Sequence, residues 1–112
     1  MSFLLENSKS FLRAAGIMLE VGEYNLALFH LEQALQLCLK YKIYEKYGDF
    51  PKTHSLKRLL SEVGQVAADP VIVDLLEDAY ISSRYLPVRY SKESAQRAYG
   101  EVEKVLKALS CL

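Results

Sequence analysis

Residues that break helices are few and far apart in this sequence, and between them apolar residues recur at three- and four-residue intervals. Such spacing gives each segment one oily stripe along a helix, and a stripe must be buried against another stripe. Leu4, Ser8, Phe11, Leu12, Ala15 and Leu19 mark the first segment, which Gly22 closes. A second runs from about Glu23 to Tyr47, with Tyr24, Ala27, Leu28, Leu31, Ala34, Leu35 and Cys38 on one face, and ends at Gly48 and Pro51. A shorter third is predicted to start near Thr53 and to bury Leu56, Leu59, Leu60 and Val63. Asp69-Pro70, a capping acid before a proline suited to the first helical position, opens a fourth that buries Ile72, Leu75, Leu76, Ala79 and Tyr80 before Pro87. Ser91 caps a fifth carrying Ala95, Ala98, Tyr99, Val102, Leu106 and Leu109. No stretch alternates with period two, so the expected fold is all-α: an up-and-down bundle of four to five helices in one domain over residues 1–112.

Composition supports that reading. Leu and Ala outnumber Val, Ile and Thr by more than two to one, and the former lose less rotamer freedom in a helix. A 51% hydrophobic share with 25% charged residues suits a chain that buries its own core rather than a disordered one. Fourteen basic and fourteen acidic side chains sum to zero, which does not fit a DNA-coating protein. No apolar run is long enough to cross a bilayer, no basic stretch leads into an apolar one as in a secretory signal, and two cysteines make no disulfide framework. A cytoplasmic location is therefore expected, and Cys38, on an apolar stripe, reads as a small hydrophobe.

The search for chemistry excludes more than it finds. There is no glycine-rich phosphate loop, and His30, Cys38, His54 and Cys111 have no metal-ligand spacing, so neither a metal nor a cofactor is expected. Gly22 through Leu35 looks like one helix of a tetratricopeptide repeat, but no second copy follows about 34 residues later. Charge is nevertheless uneven. Residues 69–82 carry Asp69, Asp74, Glu77 and Asp78 without a base. Flanking stretches carry Lys52, Lys57 and Arg58 on one side and Arg84, Arg89, Lys92 and Arg97 on the other.

Several short motifs, in order, resemble those of HEPN domains. Tyr24 to Lys40 is similar to the family's second helix, through Ala27, the Phe29-His30 pair, Gln33-Ala34 and Lys40. Thr53-His54-Ser55-Leu56 resembles the opening of the third helix. Ser83-Arg84-Tyr85-Leu86-Pro87 resembles the arginine-tyrosine-proline signature after the fourth, with Leu86 inserted. The resemblance implies a helical bundle that usually dimerises, a minimal nucleotidyltransferase as partner chain, a toxin–antitoxin-like setting, and a nucleotide as ligand. A second branch of the family consists of metal-independent ribonucleases that use an arginine followed four to six residues later by a histidine. Here Tyr90 stands where that histidine would fall after Arg84, and a phenol with a reference pKa near ~10 makes a poor base at neutral pH.

The candidate ligand residues are Arg84, Tyr85, Arg89, Tyr90, His54, Lys57, His30 and Gln33. Two guanidinium groups interleaved with two rings suit phosphate pairing and base stacking; the plainer alternative has the arginines paired with the acids of residues 69–78. His54 falls where free backbone N–H groups of a helix start would favour an anion. His30 and Gln33 form a polar pair beside the core stripe. No catalytic residue is assigned. The expected function is a non-enzymatic module for a nucleotide or similar anion, acting with a nucleotidyltransferase. A ribonuclease pairing Arg84 with His54 and a purely protein-binding module are the rivals, and nucleic acid is the less favoured ligand. Tyr41, Tyr44 and Tyr47 form a candidate strip for homodimer packing, and no membrane partner is expected.

Overall fold

A computed structural model describes residues 2–112 and contains five helices: α1 (Ser2–Glu20), α2 (Tyr24–Tyr47), α3 (Leu56–Val63), α4 (Pro70–Tyr85) and α5 (Lys92–Ala108). α1 and α2 form an antiparallel hairpin through a three-residue turn. Gly22 makes that turn possible by adopting φ +81°, which lets Glu23 N–H reach back to the Met18 carbonyl at 2.8 Å. α2 is the hub, contacting every other helix; its buried apolar residues Ala27, Leu28, Leu31, Ala34, Leu35, Cys38, Leu39 and Ile43 cover about half of its circumference, with Glu32, Gln36 and Lys40 buried beside them. A helix buried over so wide an arc belongs at the centre of a fold. The other four helices lay their stripes on it, and one core cluster draws residues from all five.

Local capping explains most boundaries. Asp69 accepts from Val71 N–H at 2.9 Å and Ser91 from Ser94 N–H at 3.1 Å, as their positions before each stripe predict. α3 departs from expectation. It starts at Leu56, with Ser55 as its cap accepting from Arg58 N–H, while Thr53 Oγ1 accepts from Ser55 N–H in the preceding turn. Leu75, Tyr80, Leu60 and Val63, expected inside, are only half-buried, whereas Val73 joins the core.

The cysteines also differ from the sequence reading. Cys38 on α2 and Cys111, three residues past α5, are joined by a disulfide, and both are fully buried. A spacing of 73 residues gave no hint of their proximity. Ser110, in the left-handed conformation, turns the chain after α5 so that Cys111 N–H bonds the Leu106 carbonyl and its side chain points inward. Among the described residues, no helix is long and apolar enough to cross a membrane.

Candidate functional site

The C-terminal end of α4 presents Tyr80 and Arg84, about one turn apart and so on one side of the helix, with Tyr85 next in sequence as its last residue. Arg84 Nε donates to the Tyr80 carbonyl at 2.8 Å, which folds the side chain back along α4. Its guanidinium carbon then lies 4.5 Å from the Tyr80 ring centre, 4.8 Å from that of Tyr85 and 5.0 Å from that of Phe29 on α2. Phe29 and Tyr80 are nearly parallel, with centroids 6.0 Å apart. Each ring face attracts the cation by roughly 0.5–1 kcal/mol at an exposed site. The rings hold the group without neutralising it. Among the described residues, no carboxylate lies within ion-pair distance of Arg84.

His54, from the segment before α3, joins from the other side. Its Nδ1 is 3.2 Å from the Tyr80 hydroxyl and its ring centre 5.1 Å from that of Tyr80. His30 stands edge-on to Phe29 and donates Nδ1–H to the Leu26 carbonyl at 2.7 Å, the only role a carbonyl allows. Arg84, Tyr85, His54 and His30 are thus gathered around Phe29 and Tyr80. Three of the four acids of residues 69–82 are engaged elsewhere: Asp69 caps the helix, Asp74 binds Lys57, and Glu77 accepts from Leu56 N–H at 2.9 Å and Lys57 N–H at 3.4 Å, while Asp78 is exposed.

A family model for the HEPN domain matches residues 1–112. The chain belongs to the HEPN family. The crystal structure of TT1696 from Thermus thermophilus is similar at 27% identity over 99% of this chain and 97% of that one, with a TM-score of 0.80. No curated protein matches.

Within this HEPN domain Lys57, Tyr90 and Gln33 bond to partners outside the Arg84 cluster. Lys57 binds Asp74 at 2.6 Å, and that hydrogen bond holds its ammonium above the usual lysine range. The start of α3 is not the open anion spot expected beside His54, because Glu77 and Ser55 already take its N–H groups. Arg89 and Tyr90 lie on the segment between α4 and α5. Asn25 of α2 grips that segment twice, donating to the Val88 carbonyl at 2.6 Å and accepting from Tyr90 N–H at 3.0 Å. Tyr90 packs against the core, while Arg89 is exposed.

Gln33 leads into a second polar group that the sequence reading missed. Glu32 is fully buried and accepts from Gln33 Nε2 at 2.7 Å and Gln36 Nε2 at 2.9 Å; Gln36 in turn accepts from Lys40 Nζ at 3.0 Å. Burial pushes the Glu32 carboxyl up to about 7, against the pull of those hydrogen bonds and of Lys40. Burial likewise lowers Lys40, whose ammonium lies 5.7 Å from the Phe50 ring centre. Phe29 and Asn25 carried no charge to draw attention, and Tyr80 read as core. Their role depends on contacts between distant segments.

Proposed function

We propose that this HEPN domain is a recognition module that takes the phosphate of a nucleotide, or a similar anion, at Arg84, and that it works as a homodimer with a nucleotidyltransferase chain. The carrying observation is a guanidinium fixed over three rings with no acid partner. Its Nε is committed to a carbonyl, while the terminal nitrogens keep N–H groups for an anion. Tyr85, 69% exposed, offers the most open ring face for a base, and His54 adds a donor close to Tyr80. The family supplies the nucleotide and the partner as expectations; the geometry supports an anion.

A thermal-shift titration with ATP, GTP, CTP, AMP and inorganic phosphate tests this. Ligand at 100 times its dissociation constant stabilises by roughly 2.7 kcal/mol. The wild type should shift, the Arg84→Ala/Arg89→Ala double variant should not, and an equal shift in both would sink the site. One observation favours a second reading. Arg84 and His54 both contact Tyr80, which is the pairing a ribonuclease of this fold would need. RNA cleavage in EDTA that disappears in Arg84→Ala would establish it.

A further inference from the structure

Against α2 and α5, α1 buries Leu4, Ser8, Leu12 and Ala15, and its opposite side carries a row that no element covers. Phe3, Asn7, Ser10, Ala14, Ile17 and Val21 alternate four- and three-residue steps, the 3.5-residue repeat of a helix–helix seam. Phe3, Ile17 and Val21 are 51%, 56% and 64% exposed, unusual for such large apolar groups repeated along one face. A shallow groove lined by Asn7, Ser10, Phe11, Ala14 and His30 runs beside the middle of the row.

The charges along its edge indicate what the row meets. Glu6 and Arg13, one heptad apart, are exposed, and neither makes an ion pair within the described chain; Arg13 Nη2 instead donates to Ser10 Oγ at 3.0 Å. Turned about a two-fold axis beside Ser10, the row from Phe3 to Ile17 becomes its own complement, and Val21, just past the end of α1, lies beyond the paired stretch. Phe3 then faces Ile17 of the other copy, Asn7 faces Ala14, Ser10 faces Ser10, and Glu6 meets Arg13 twice. An isologous interface requires that kind of reciprocity, and a foreign helix would have no reason to supply it. We propose that the outer face of α1 is the seam at which two copies of this chain pack antiparallel about an axis at Ser10. The inference rests on the homodimer in the reading above and is independent of the Arg84 ligand.

Charge exchange tests it by sedimentation equilibrium. Glu6→Arg alone and Arg13→Glu alone each set like charges opposite one another and should raise the dimer dissociation constant roughly tenfold. The Glu6→Arg/Arg13→Glu protein, and an equimolar mixture of the two single variants, should restore it, because every pair is again of opposite sign. Ser10→Cys adds one accessible thiol to a chain whose own cysteines are paired and buried, and should oxidise to a covalent dimer, whereas Gln96→Cys on exposed α5 should not. A dimer indifferent to the charge changes, and not linked through position 10, overturns the seam and leaves the homodimer standing. A monomer at every concentration overturns both. Neither result touches nucleotide binding.

Discussion

Glu32 shows how one buried group couples this fold to pH. Its carboxyl titrates near 7 in the folded chain and near 4.5 in the unfolded one, so between those values the folded state holds the extra proton. Its contribution to stability is therefore greatest below 4.5, falls as pH rises to about 7, and is then level. The full shift corresponds to roughly 3 kcal/mol. Urea unfolding at pH 5 to 8 should show the decline, and Glu32→Gln should remove it and be the more stable protein at pH 8. Asn25 makes a different case: Asn25→Ala breaks two hydrogen bonds to the Val88–Tyr90 backbone and should cost about 1–2 kcal/mol. Faster hydrogen exchange at the Tyr90 amide would be its signature. Neither residue was legible as important in the sequence. The glutamate is buried by the helices packed around α2, and the asparagine acquires its role from a segment as distant as residue 90.

At the scale of elements, the sequence was most informative where the determining contacts are local. The α1–α2 turn at Gly22, the Asp69-Pro70 start of α4 and the Ser91 start of α5 each depend on residues within one turn, and the structure places them where the pattern predicts. α3 was misjudged at its start because Thr53 and Ser55 are both competent caps and their relative position was settled by tertiary contact. Glu77, on α4, supplies that contact through the Leu56 and Lys57 N–H groups. Glu77→Ala should lower stability by about 1–2 kcal/mol and loosen α3 relative to α4, seen as faster exchange at the Leu56 and Lys57 amides with α5 unaffected. The candidate site was half legible for the same reason. Arg84 and Tyr85 announced themselves as neighbours in sequence, but the rings that hold the guanidinium come from Phe29 on α2 and from Tyr80 one turn earlier on α4.

For the molecule as a whole, the all-α bundle followed from periodicity, while the covalent link between Cys38 and Cys111 did not. Closing so long a segment restricts the unfolded chain and, on the loop-entropy account, stabilises by roughly 4 kcal/mol. Thermal unfolding with and without reductant should differ accordingly. Cys111→Ser should melt near the temperature of the reduced wild type and be insensitive to reductant.

The same bond divides the chain into a ring and a tail. Residues 38–111 form a closed circuit holding half of α2 and all of α3, α4 and α5, whereas α1 and the first half of α2 hang from it by one backbone attachment. A protease that cuts the connections at 49–55, 64–69 or 86–91 opens the circuit without separating its pieces. One that cuts at 21–23 leaves α1, with its uncovered outer face, held only by its packed stripe and the Ser8 hydrogen bond to the Ala34 carbonyl.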